Sequence, residues 1–526
     1  MNVHQATRPW LEPRDKASQL GWLLTAGGDE RVRPDPVTGR NRYGTNATPK
    51  PEEIFLSSST ASTITLRAYR AVERIWTALS PDSIGGYSRV DGWFDDLRAR
   101  LLALFGVAGA GIVLTASGTE TELIALAIAR SVLSGPLTNI VVSPMETGRG
   151  VLRAAAGTHF LDSSPFGDNH RTGQRLDGWE AADIETAAVE IRDADGNLRR
   201  AADVDSEARH RAQAALGAGR NVLLHRLETS KTGCSGLAPE TATQIVAQAP
   251  GRVLVVVDCC RLRCSRWRIQ QLLERGFMVA ITGSKFFGGP AFSGALLVPP
   301  QIMHGISELA LPGGLADYSS RLDWPDELRA KTPLRWTNEA NLGLGLRWVA
   351  ALEEMERYWR LPRALRCGAL AYFERQVRMR SQDACVLLEV LHPATDPSSD
   401  PTGILSFTMT HPDGAAWSAA ETAAIHARLR MAQGSRFARA SFAARIFHLG
   451  QPVAIGPRTA LRVCASAPLI SDVVERVQSG ESIENAFAPW GENIDALFAK
   501  WRWLMEEAAT APNAAQPPRS RRGRAP

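Results

Sequence analysis

TGSKFFGGP, residues 282–290, sets a single lysine, Lys285, among small residues just past the strand-like run FMVAITGS. A lysine in so apolar and glycine-rich a setting is held at the end of a strand rather than left on a surface. Upstream, RVLVVVDCCRLRCSRW is a β-branched run that reaches Asp258, the pattern of a buried parallel strand delivering a charge to a sheet edge. Earlier still, VLTASGTETELIALAIA places Ser117, Gly118 and Thr119 where a strand gives way to a helix. Unpaired N–H groups and the dipole at such a helix start attract an anion, and Gly118 lets the backbone approach closely. An ordinary N-cap would use the same residue types, so the motif gains its weight from the aspartate and lysine that follow.

Anion site, buried acid and amine, in that order, suit pyridoxal 5′-phosphate, which needs a phosphate cradle, a partner for its pyridinium nitrogen and an amine for a Schiff base. The order and spacing of these motifs resemble the fold-type I pyridoxal-phosphate enzymes, and among them the class V aminotransferase and cysteine desulfurase group. The resemblance covers roughly residues 54–505. It implies an α/β fold, with a mostly parallel central sheet flanked by helices and a smaller α+β C-terminal domain. It also implies that Lys285 and Asp258 are catalytic, and that Ser117, Gly118, Thr119, Thr282 and Ser284 surround the phosphate. Thr229 and Ser230, in ETSKTGCSGLAP, match the family's loop on the phenolic side of the cofactor, with Lys231 as an insertion; Cys260, two residues past Asp258, is a further cofactor contact. Thr337, in RWTNEANLGLGLRWVAALEEMERYWR, matches a threonine that reaches the phosphate of a neighbouring subunit, which implies a homodimer. Arg462, in LRVCASAPLI, matches the arginine that holds the substrate carboxylate, a task suited to a rigid two-point guanidinium.

The chain departs from this family after the strand TNIVVSP. Those enzymes place a His or other aromatic there to stack on the cofactor ring, whereas this sequence offers Met145, Glu146 and Thr147, with Thr147 as the residue to cover that face. The paired glycines 85 and 86 fall in a loop that the resemblance sets near the substrate and that is equally readable as a turn before a helix.

Outside the motifs, residues 1–53 are rich in Pro, Arg, Asp and Gly and form an arm without periodicity. A large cofactor-binding domain spans 54–325, opened by the strand IFLSSSTAS and the helix TLRAYRAVERIWTAL, and a small domain spans 326–505. Residues 162–220 read as a long polar connection with a hairpin at IRDADGNLRRA and one surface helix. SGALLVPP closes the sheet as an antiparallel strand.

Composition excludes several classes. At 44% hydrophobic and 22% charged residues the chain is an ordinary globular one, and its 526 residues exceed a single core. The net charge of +5 falls to +1 without Arg519, Arg521, Arg522 and Arg524 of the tail, residues 506–526, so the folded body gives no reason to expect nucleic acid. The tail itself reads as disordered. No apolar run approaches the roughly 20 residues of a membrane span, and MNVHQATRPWLEPRDKAS carries no apolar leader. Seven cysteines (Cys234, Cys259, Cys260, Cys264, Cys367, Cys385 and Cys464) lack both a disulfide framework and zinc-ligand spacing, so the expectation is reduced thiols, a cytoplasmic protein and no metal.

The functional reading at this level is a pyridoxal-phosphate enzyme acting on an amino acid or related amine. Amino-group transfer leads; a lyase (desulfurase, C–S lyase or decarboxylase) is the alternative, and a non-catalytic protein on this fold is a third reading. A desulfurase needs a mobile nucleophilic cysteine, and Cys385, in the strand-like SQDACVLLEV, argues mildly for transfer.

Overall fold

A computed structural model describes residues 16–79, 86–167, 170–384, 387–391, 400–433 and 442–510. Twelve strands are present among them: β1 Ile54–Leu56, β2 Gly111–Thr115, β3 Leu137–Val142, β4 Ile184–Val189, β5 Asn221–Leu227, β6 Val253–Cys259, β7 Met278–Thr282, β8 Gly294–Val298, β9 Leu388–Leu391, β10 Ile404–Met409, β11 Phe447–Ile455 and β12 Arg458–Cys464. They form two sheets. The larger has the order β2-β8-β7-β6-β5-β3-β4, parallel except that β8 runs against both β2 and β7. The smaller has the order β1-β11-β12-β10-β9 and is antiparallel apart from the β1–β11 pair.

The apolar runs of the central strands follow from burial on both faces. Val255, Val257, Val279 and Ile281 pack into one core layer, while Val256, Met278 and Ala280 pack into the other, against Leu123, Ile124 and Ile128 of the helix Gly118–Val132. Each such side chain contributes about 1.5–3 kcal/mol when withdrawn from water. A strand read as alternating would have left one face wet; these do not.

Two expectations change on seeing the fold. The strand at Ile54 does not open the larger sheet: Ile54 pairs with Phe447 and Leu56 with Leu449 in the smaller one. Three residues carry too little pattern to say which sheet they join, and the pairing is decided by distant chain. The stretch 162–220 contains the predicted hairpin, closed by an Arg192–Leu198 bridge, and the predicted helix, Ala201–Gly217. It also contains β4, which extends the larger sheet beside β3. Its sequence, IETAAV, lies at an edge and is half exposed, so it shows none of the continuous hydrophobicity of its neighbours.

The N-terminal arm lies on the chain's own linking helix, Leu342–Arg360. Arg347, fully buried, donates to the carbonyls of Leu24, Ala26, Gly27 and Phe292, and Asn341 Nδ2 donates to Gly27 O at 2.8 Å. A Cβ on residue 343 would stand 2.3 Å from Ala26 O, so the arm's approach requires Gly343. Residues 80–85, Cys385 and residues 511–526 lie outside the described residues, and with them Gly85, the cysteine and most of the tail singled out above; Gly86 begins the helix Gly86–Phe105, and residues 506–510, read as disordered tail, instead end the helix Ile483–Thr510. Among the described residues no helix is long and apolar enough to cross a membrane, and no group of His, Cys, Asp and Glu is placed to hold a metal ion.

Candidate active site

The motifs meet at one edge of the larger sheet, the carboxyl ends of its parallel strands, where ligands bind in open α/β sheets. Ser117 follows β2 by two residues, Thr229 follows β5 by two, Asp258 is the penultimate residue of β6, and Lys285 follows β7 by three. In register Asp258 stands beside Leu227 of β5 and Ala280 of β7, so the aspartate is central.

Gly118, Cys260 and Thr282 form one contact. A Cβ on residue 118 would come within 2.8 Å of Cys260 Sγ, and only a glycine lets the helix start sit against that turn. The Cys260 amide donates to Asp258 Oδ1 at 2.8 Å, and burial together with the Asp258 charge pushes the Cys260 thiol far up, so it stays protonated. Ser117 caps the helix, accepting from the Glu120 amide at 3.4 Å and from Arg31 Nη2 at 3.1 Å. Because both bonds are accepted, the Ser117 proton is free to be given to a ligand. Thr119 is buried beside Gly148 and Gly150, which brings the loop after β3 to the same helix start.

Lys285 is surrounded by cations. Burial, then the Arg261 guanidinium, holds its amine below the ordinary lysine range; Cys260 and Asp258 oppose this, and Arg462 adds to it. Lys231 is held down to about 7 by burial and by Arg261, Arg462 and Lys285. None of Lys231, Arg261, Lys285 and Arg462 forms an ion pair with a carboxylate among the described residues. Arg261 instead donates to the carbonyls of Thr229, Glu146 and Thr147, tying the loops after β3 and β5 together. Arg462 donates to Ser59 Oγ (2.9 Å), Thr60 Oγ1 (3.0 Å), Gln451 O (2.5 Å) and Lys231 O (3.4 Å). Buried guanidiniums without a counterion are costly unless an anion arrives.

Several predicted contacts are spent elsewhere. Ser230 Oγ donates to Glu146 Oε2 inside a closed cluster with Thr232 and Arg192, so it braces its loop rather than facing the cleft. Thr282 Oγ1 gives its proton to Cys260 O at 2.5 Å, and Thr147 Oγ1 gives its proton to Pro144 O at 2.9 Å. Arg462 has both terminal nitrogens occupied and does not present the open fork that a carboxylate clamp requires. Thr337 is exposed, with Oγ1 donating to Ala316 O at 3.3 Å. Ser284 and Thr229 are buried close to the site.

Four features went unread in the sequence. Arg31, in the arm, reaches Ser117 while its guanidinium is held by buried Asp29 and flanked by the rings of Phe160 and Phe292 at 5.3 and 4.6 Å. Glu120 is buried against this pair, and burial raises its carboxyl well above the usual range. His225 Nδ1 lies 2.9 Å from Glu122 Oε2, both buried on the sheet face that carries Asp258. Lys231 and Arg261 complete the cationic wall. Only Lys231 carried a signal, as an insertion in a turn-forming loop; the rest depend on residues far apart in the chain.

The sequence matches no family model and no curated protein. The fold is similar to solved structures. A cystine C–S lyase, C-DES, solved with its product cysteine persulfide, aligns with TM-score 0.51 and 16% identity over 85% of this chain and 98% of that one. A NifS-like protein aligns with TM-score 0.50 and 13% identity over 81% and 99%. A cysteine desulfurase from Thermococcus onnurineus NA1 aligns with TM-score 0.49 and 14% identity over 82% and 96%. With a central sheet of mixed but mostly parallel strands, helices on both faces and the motif residues gathered at its carboxyl edge, the chain shares the fold of the C–S lyase and the NifS-like protein.

Proposed function

We propose that this protein is a pyridoxal 5′-phosphate-dependent enzyme acting on an amino acid, and that it is a lyase. The observation that carries the reading is Lys285: a half-buried lysine three residues past β7 at the carboxyl edge of the sheet, whose amine feels the Asp258 charge, beside a helix start that only a glycine allows to close. The likeness to a C–S lyase and a NifS-like protein supports lyase chemistry over the amino-group transfer that the sequence reading ranks first. Elimination at sulfur suits the described cysteines of the site better than persulfide transfer. Cys260, whose charge would act on Lys285, is buried and kept protonated by burial and the Asp258 charge, the opposite of a mobile nucleophile.

The residues fit the cofactor's demands. Its phosphate would be held by the Gly118 and Thr119 amides, the Ser117 hydroxyl and Ser284; its ring nitrogen by Asp258; its aldehyde carbon by Lys285 Nζ. When bound, pyridoxal phosphate supplies a protonated ring that draws electron density from the Cα of an attached amino acid. Asp258 would serve as the hydrogen-bond partner of that protonated ring nitrogen. Lys285 Nζ, which burial keeps closer to neutral, takes the Cα proton and returns it to the leaving group or product carbon. The protein is proposed to act as a homodimer in which Thr337, surface-exposed on its own chain, serves the partner's phosphate site.

The reading is tested on purified protein by its visible absorbance, by borohydride trapping, and by assay of 2-oxo acid and ammonia from single amino acids. Trapping is expected on Lys285, with product formed in the absence of any amino acceptor. Absence of a trapped lysine sinks the cofactor assignment, and turnover that stops unless a 2-oxo acid is supplied returns the protein to amino-group transfer.

A further inference from the structure

The site contains three cations besides Lys285, and they differ in what their donors are doing. Arg261 and Arg462 have their terminal nitrogens committed to protein carbonyls and hydroxyls. Lys231 does not: its Nζ meets one acceptor, the Met145 carbonyl, at 3.3 Å. An ammonium has three donors, so two remain to be used. The nearest acid cannot claim them, because Glu146 already takes Arg192 on Oε1 and the Ser230 and Thr232 hydroxyls on Oε2.

The loop also fixes where this amine stands. Lys231 N donates to Glu146 O at 3.0 Å, Lys231 O accepts from Arg462 Nη1 at 3.4 Å, and the adjoining Ser230 is locked by its bond to Glu146 and by accepting the Thr232 and Cys234 amides at 3.1 Å. A residue inserted in a turn would ordinarily swing in solvent; this one is tied at its own peptide and at both sides. The charges that act on its amine are those of Arg261 from the segment after β6, Lys285 from the segment after β7, Arg462 from β12, whose Nη1 bonds the Lys231 carbonyl, and Glu146 from the segment after β3, more positive than negative. A carboxylate entering there meets a cation with open donors and relieves repulsion among the rest.

We propose that Lys231 is the specificity residue that pairs with the carboxylate of the amino-acid substrate, and that Arg462, to which the sequence assigns that role, positions it. The inference rests on the functional reading above only for the nature of the substrate. Withdrawal from solvent, with Arg261, Arg462 and Lys285 nearby, draws the Lys231 amine down to about 7, and a carboxylate bound beside it would raise it again.

The test compares a responsive L-amino acid with the primary amine that lacks its carboxylate, by titrating the cofactor absorbance of the holoprotein. Lys231→Met should weaken binding of the amino acid about 30-fold and leave the amine within about twofold, the range expected for a lost charge-assisted hydrogen bond. Lys231→Arg should restore part of the difference, which a merely structural role would not produce. Equal weakening of both ligands, or no weakening of either, overturns the assignment. Competitive labelling of lysine amines, read by mass spectrometry with and without the amino acid, adds a measurement that does not use the cofactor. Protection of Lys231 supports the proposal, and unchanged labelling at saturating amino acid overturns it. A protein that shows this protection yet has no cofactor spectrum refutes the functional reading and leaves Lys231 in its role.

Discussion

Two groups of charge, buried or half-buried, flank the start of the helix Gly118–Val132, and they are built on opposite principles. On the arm side, Arg31 arrives with its own counterion: Asp29, fully buried, accepts from Nε at 2.9 Å and from Nη2 at 2.5 Å, and two aromatic rings cover the guanidinium. On the strand-end side, Lys231, Arg261, Lys285 and Arg462 come together with no carboxylate ion-paired to any of them among the described residues. The first arrangement is complete as it stands. The second leaves negative charge to be supplied, which is the condition of a site for an anionic cofactor and an anionic substrate.

This contrast can be broken most decisively at Lys285. Lys285→Ala should lower turnover by more than about 10³-fold, since it removes both the cofactor's amine and the proton carrier, and Asp258→Asn by about 10²-fold. Both should leave the urea-unfolding midpoint of the cofactor-free protein nearly unchanged or raised for the lysine, because a counterion-free cation has been removed. A large loss of stability in Lys285→Ala would show that the strand-end cluster is structural after all.

Removing a cation from each side sharpens the comparison. Arg31→Met strands the Asp29 carboxylate in the interior and should cost about 3–5 kcal/mol of folding stability. Arg261→Met strands only carbonyls and should cost less, about 1–3 kcal/mol, while raising the Lys285 and Lys231 amines toward their ordinary range. Urea unfolding of the two variants side by side checks the ranking, and equal losses would erase the distinction.

The smallest effect is one of pH. On the arm side His159 is stacked on His170 at 4.0 Å and bonded to Tyr318 at 2.8 Å, and burial draws its imidazole down to about 4. The unfolded chain takes the proton below about 6.5 and the folded chain only below about 4, so stability is full above that window and falls as pH drops through it. His159→Phe should flatten this slope in a thermal-unfolding series between pH 6.5 and 4. The same slope in wild type and variant would assign the acid sensitivity to other groups.

Much of the fold was legible because the central strands are buried on both faces, which forces runs such as VLVVV at 253–257, and because Gly118, Asp258 and Lys285 each end or follow such a run. The antiparallel β8 was read for the same reason. The edge strand β4 was not, since it has no side that must be apolar along its length, and the three-residue β1 was read as a strand but without the sheet it joins, because so short a run does not encode its partner. The candidate site divides similarly. Residues fixed by their place at a strand end were found, whereas the fate of each hydroxyl was hidden: Ser230, Thr282 and Thr147 all donate to groups of their own chain.

By itself, then, the sequence determined a larger parallel sheet, its carboxyl edge, and the amine, acid and glycine turn that gather there, because strand ends and helix starts are local features written in adjacent residues. Tertiary structure alone decided that Arg31 of the arm would reach Ser117, that Arg462 would spend its fork on Ser59, Thr60, Gln451 and Lys231, and that Lys231 would be left with open donors. Those outcomes depend on which side chains from distant segments compete for the same hydrogen bonds, and a buried donor takes whichever acceptor the fold brings within about 3 Å.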